Sequence, residues 1–262
     1  MTAANDRALL GVCATLTAAS AGLTVVWCMS MTAMAGMPMP GGWTMSMIWM
    51  RMPGQRWLDA GASFLIMWMV MMVAMMLPSL VPMLRRYRHA VSSTGTARLG
   101  RLTVLMGVAY FVVWLVLGLI AFPIGVTLAA EEMRNPALAR AVPASIGAIV
   151  IIVGALQFTP WKAHHLACCR ATPVRRGAMS ADLGNAVRHG IDLGLHCGQC
   201  CGGLIATLLV VGVMDLRAML AVGIAITLER LAPAGDRIAR AIGAVTICVG
   251  LFLMARVFRS LT

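Results

Sequence analysis

Apolar positions along the chain come in seven long runs, near 9–29, 61–84, 102–124, 144–163, 192–214, 217–233 and 238–256, separated by stretches that hold most of the polar and charged residues. About 20 apolar residues in a helix cross the hydrocarbon of a bilayer, and flanking Trp or Arg extends the reach of shorter runs. The pattern predicts an all-α fold, a polytopic transmembrane helix bundle of about seven spans, with six as the alternative count. Residues 1–262 read as a single integral membrane domain, with 30–60 as an external loop inside it. Arg7 before the first run and "AMA" after it imitate a cleaved leader. The run is longer than the roughly 7–15 apolar residues of such a leader, so it reads as a retained anchor.

Composition sharpens this picture. With 60% hydrophobic and only 11% charged residues, the chain does not suit a soluble core of its size. The net charge of +12 would point to nucleic acid in a soluble protein. Here the basic residues sit between the spans, where they set orientation, so the partner they imply is the lipid bilayer. Placing the N-terminus inside puts Arg7, the cluster Arg85 to Arg101, the cluster Lys162 to Arg188, and Arg230, Arg237 and Arg240 on the cytoplasmic side, fourteen of the twenty-one Lys and Arg residues.

The loop at 30–60 carries Met31, Met34, Met37, Met39, Met45, Met47, Met50 and Met52, and its Pro and Gly residues argue for a loop with a short amphipathic surface piece around Trp43 to Trp57. Thioether sulfur has no proton to lose and binds soft Cu(I) while largely ignoring Zn(II) and Mg(II). Span two continues the theme. Met67, Met71 and Met75 follow at i+4 steps, with Met69, Met72 and Met76 on a second stripe. Met37, Met39, Met45, Met47, Met67, Met71, Met72, Met75 and Met76 are candidates for a relay of Cu(I) by ligand exchange. Flexible apolar filling of a core would give the same periodicity.

Span four ends in "GALQFTPWKAHHLACCR" and span five opens with "HCGQCC". His164 and Cys168 share a helical face, as do His165 and Cys169, and a helix projects His196, Cys197, Cys200 and Cys201 over about one side. The topology brings the two groups to the inner ends of spans four and five. His165, Cys169, Cys197, Cys200, Cys201, His196, Cys168 and His164 are therefore the candidate metal ligands. Gln157, Thr159, Lys162 and Glu229 are polar at membrane depth; an acid there costs a few kcal/mol unless paired, for instance with Arg230 or a basic loop. Cys13, Cys28 and Cys248, each alone in a span, read as small apolar residues.

Several functions are disfavoured. The chain has no phosphate-binding Walker loop, no metalloprotease motif and no phosphorylation segment of a metal-pumping ATPase, and "CGQCC" lacks the His of a haem-attachment site. An enzymatic activity is less expected than a binding role.

From about residue 61 the chain resembles a bacterial family of predicted metal-binding integral membrane proteins. The resemblance rests on the stretch from Trp68 to Ser79, on Gln157 to Lys162 running to Cys169 and Arg170, on Gly194 to Cys201, and on Glu229 and Arg230 before Pro233. The family's span-four motif has Cys where this chain has His165, followed by Cys at position 169. His can replace Cys as a ligand but not in a disulfide, which favours metal over redox. Gln199 and Gly202 stand where the family has Gly and Trp. The resemblance implies a multi-pass protein of the bacterial inner membrane.

Together these features predict a protein that handles Cu(I) in uptake, chaperoning or delivery, with a copper-dependent membrane enzyme or a soluble copper chaperone as partner. The alternatives are a structural or sensory zinc or iron site, and a thiol–disulfide oxidoreductase using Cys197 and Cys200.

Overall fold

A computed structural model of the protein describes residues 3–33, 36–51, 54–91, 95–170 and 182–261; Met34, Met52, Arg175 and Arg176 lie outside these. Eight α-helices occur among the described residues: α1 (Ala3–Ala33), α2 (Trp57–Ala90), α3 (Thr96–Arg134), α4 (Pro136–Leu156), α5 (Pro160–Arg170), α6 (Leu183–Gly212), α7 (Leu216–Leu231) and α8 (Gly235–Leu261). Six of them, all but α5 and α7, are long and apolar enough to cross a membrane. The fold is a polytopic helix bundle. The seventh expected span is α7, whose 16 residues rise only about 24 Å. Its first turn carries Met219, beside Cys28 of α1, and its C-cap is Ala232, whose carbonyl accepts from Arg170 at the end of α5.

The Met-rich segment, expected to be a loop with a short amphipathic piece, contains a small hairpin. Strands β1 (Met37–Met39) and β2 (Trp43–Met45) pair antiparallel, and one 3-10 turn follows at Met47–Trp49. The reason is local. Gly42 N–H donates to the Met39 carbonyl across Pro40 and Gly41, and Gly41 has φ +105°, so Pro and Gly occupy the positions that favour a tight turn. The hairpin docks through Trp43, whose indole N–H donates to the Ala139 carbonyl at 2.8 Å.

Span four ends earlier than its apolar run suggested. The chain turns at Gln157–Thr159 and restarts as α5, with Pro160 in the first turn, where its missing N–H costs nothing. Span five, by contrast, begins nine residues early, at Leu183, capped by the Asp182 carboxylate accepting from Gly184 N–H. Helices α4 and α8 pack backbone to backbone: a Cβ on Gly154 would lie 2.9 Å from the Gly243 carbonyl oxygen. Such small-residue contacts let helices approach where lipid offers no hydrophobic drive.

The core gathers around α2. Phe64, Met67, Trp68, Met71, Met72, Met75 and Met76 are all buried, and Trp68 donates its indole N–H to the Trp114 carbonyl of α3 at 2.8 Å. Helices α1 and α8 each pack one face on the bundle, α8 against α4, and bury few of their residues, as befits helices at the rim of a membrane bundle.

Candidate metal centre

Helix α6 approaches α3 closely because Gly190 and Gly194 carry no side chain: a Cβ at 194 would stand 2.8 Å from Val113 Cγ2. One turn further, this brings Cys197 against Tyr110. The Tyr110 hydroxyl donates to Cys197 Sγ at 3.0 Å, and Arg230 of α7 reaches the same sulfur through Nη1 at 3.2 Å. Arg230 Nη1 also donates to Ser79 Oγ at 2.8 Å and lies 3.4 Å from the Tyr110 hydroxyl. Met76 Sδ stands 4.0 Å from Cys197 Sγ, and Cys201 Sγ stands 3.9 Å from it on the other side. Cys200 neighbours Cys201 within α6 and Cys169 of α5. Four thiols and one thioether thus gather where α2, α5 and α6 meet, all five buried.

Helix α5 is pinned to α7 by a buried ion pair and to α6 by a hydrogen bond from the same ammonium. Lys162 Nζ donates to Glu229 Oε2 at 2.7 Å and to the Cys200 carbonyl at 2.7 Å, with the two side chains 4% and 0% exposed. The partner of Glu229 is therefore Lys162, not the adjacent Arg230, which turns to the thiols. A helix carries neighbouring residues about 100° apart, so adjacent residues cannot both face one partner.

The eight candidate ligands separate into two groups. Cys169, Cys197, Cys200 and Cys201 are buried. His164 and Cys168 face outward, with Cys168 Sγ 3.7 Å from His164 Nε2. Between the groups, the His165 and His196 rings lie 6.0 Å apart at their centroids, each with Nδ1 shielded and unpartnered among the described residues. Loss of solvent, then the neighbouring His164 and His196, holds the His165 imidazole below its usual pKa. It is neutral at physiological pH, the form that ligates metal. Among the described residues no three His, Cys, Asp or Glu side chains already converge on a single point.

The early start of α6 also shifts the site in depth. Cys197 lies fourteen residues, about 21 Å, into α6. The thiols of α6 therefore sit near the middle of that helix, with Cys169 brought to them from the last turn of α5.

The remaining polar candidates have structural tasks. Thr159 accepts from the Lys162 N–H at 3.3 Å and so caps α5. Gln157 closes α4 and packs against Gly243, with Oε1 buried and unpartnered among the described residues. Of the candidate Met residues, Met47 and Met67 line a cavity of about 260 Å³ together with Met31, Met50, Met214 and Trp27. Met71, Met72, Met75 and Met76 continue down α2, while Met37, Met39 and Met45 belong to the hairpin and do not line the cavity. Sequence reasoning missed Tyr110 and Ser79, which carry no signal of their own in an apolar run. The cost of burying Arg230 was a signal equal to that of Glu229.

Residues 65–253, well over half of the chain, match the family PpoB2, described as a copper chaperone. The chain belongs to the PpoB2 copper chaperone family. The matched segment holds the whole sulfur chain from Met76 to Cys201, so a copper-related role attaches to the part of the molecule that carries the soft donors. No curated protein and no solved structure matches the chain.

Proposed function

We propose that the protein receives Cu(I) at the hairpin end, passes it along the α2 methionines and holds it at the buried thiols for delivery to a partner. The observation that carries this reading is the contact of Met76 Sδ with Cys197 Sγ at 4.0 Å, which joins the thioether stripe to the thiol chain. Thiolates hold Cu(I) more tightly than thioethers, so the order of donors gives transfer a direction. Two thiolates around Cu(I) leave one negative charge, and Arg230 Nη1, already 3.2 Å from Cys197 Sγ, supplies the balancing positive charge. The donor set suits copper better than zinc because it includes the thioether of Met76 beside Cys197, and thioether sulfur binds soft Cu(I) while largely ignoring Zn(II).

His165 and His196, beyond the thiols, and the outward-facing His164 and Cys168 are placed to pass the ion on. A copper-dependent membrane enzyme or a soluble copper chaperone is the recipient this reading expects. The chain sits in a bacterial inner membrane with its N-terminus inside, the orientation favoured by its basic loops.

The test is the metal content of detergent-purified protein from cells supplemented with copper and zinc, alongside Cys197→Ser. Stoichiometric copper in the parent chain, lost from the variant, is the expected result. Zinc in place of copper would refute the relay. An oxidised Cys197–Cys200 pair without metal would support a redox role instead.

A further inference from the structure

Cys28 lies near the hairpin end of α1, outside the segment matched to the copper chaperone family, and looks in sequence like a small apolar residue. In the fold it is 1% exposed and faces two methionines from distant parts of the chain. Its Sγ stands 3.8 Å from Met214 Sδ and 3.9 Å from Met219 Sδ. Three sulfurs bonded at about 2.3 Å to one ion in a trigonal plane stand about 4 Å apart. The two measured separations match that spacing.

We propose that Cys28, Met214 and Met219 form a Cu(I) entry site at the hairpin end of the bundle, ahead of the buried thiols. The proposal rests on copper being the cargo of the Met-to-Cys path.

Charge supports the choice of ion. One thiolate and two thioethers exactly neutralise Cu(I), so the loaded site carries no net charge into a buried position, whereas a divalent ion would leave one positive charge uncompensated. Loading replaces the Cys28 S–H bond with an S–Cu bond, and the proton leaves to solvent. Copper stays Cu(I) throughout.

Position supports it as well. Met214 also lines the cavity of about 260 Å³ that holds Met31, Met47, Met50 and Met67, so an ion bound there by thioethers meets Cys28 next. The turn presenting Met214 is held in place. Gly212 takes φ +143°, and the Asp215 carboxylate caps α7 by accepting from Arg217 N–H at 2.8 Å and Ala218 N–H at 3.3 Å. Donor strength is lowest in the cavity, where thioethers act alone, higher at Cys28 with one thiolate, and highest at Cys197 to Cys169, with the α2 methionines exchanging the ion between the two thiol sites.

The full chain in detergent micelles is titrated with Cu(I) under reducing, anaerobic conditions, and bound equivalents are counted by elemental mass spectrometry against a competing Cu(I) chelator. Cys28→Ser is expected to lose one equivalent and keep the rest. Met214→Leu with Met219→Leu keeps the packing volume and is expected to weaken that same equivalent by at least about tenfold. Cys197→Ser with Cys200→Ser is expected to retain the Cys28 equivalent, with X-ray absorption showing an all-sulfur shell. If Cys28→Ser does not fold, the Leu pair decides. Unchanged stoichiometry and affinity in both Cys28→Ser and the Leu pair would overturn the entry site and leave the thiol site standing. A parent chain that binds no Cu(I) would overturn both.

Discussion

Replacing Lys162 by Met tests whether the buried ion pair with α7 holds α5 in place beside α6. Lys162 and Glu229 are 4% and 0% exposed and meet at 2.7 Å, and the same ammonium donates to the Cys200 carbonyl. Lys162→Met keeps most of the side-chain volume but strands the Glu229 carboxylate in the interior. Removing one member of a buried pair costs about 3–5 kcal/mol. A loss near 4 kcal/mol shifts the folding equilibrium about a thousandfold. The double variant Lys162→Met, Glu229→Gln discharges the site and is expected to recover more than half of that loss, because the pair itself contributes little beyond its own desolvation. Denaturant titration in micelles reads both variants. Copper affinity should fall in parallel for the single variant, since Cys169 stays beside Cys200 only while α5 is docked. A single variant as stable as the parent, or a double variant no better than the single, would refute the reasoning.

Met76→Leu conserves volume and should cost less than about 1.5 kcal/mol in stability, while slowing the appearance of thiolate-bound copper after Cu(I) addition, followed by ultraviolet charge-transfer absorption. Gly154→Val should destabilise the bundle by about 1–3 kcal/mol in a thermal melt, because its side chain would collide with the Gly243 carbonyl, 2.9 Å from the Cβ position. Trp68→Phe removes the 2.8 Å hydrogen bond to the Trp114 carbonyl, which keeps its helical donor in α3, and should cost about 0.5–1.5 kcal/mol, again by thermal melt.

The membrane bundle was legible because hydrocarbon imposes one rule on every segment: about 20 apolar residues with their backbone satisfied internally. That rule marked all seven runs without reference to neighbours. It marked their ends poorly. Pro160 does not say whether a helix bends or stops, and the polar stretch before Ile191 does not show that α6 already begins at Leu183. Helical spacing placed Cys197, Cys200 and Cys201 on one side, as found, because that relation is internal to one helix.

Relations between helices belong to the tertiary structure alone. Cys28 and Cys13 both read as small apolar residues of the first span and both are buried in the core, yet the fold sets Cys28 against Met214 and Met219. Likewise Glu229 and Arg230 are chain neighbours, and only the packing of α5, α6 and α7 sends one to Lys162 and the other to Cys197. By itself the sequence determined the solvent the chain lives in, the number of its long apolar runs and the softness of its donors, since these depend on residue type and period. Which sulfurs meet depends on how helices far apart in the chain pack, here on close approaches such as that at Gly194, and that is decided only when the bundle closes.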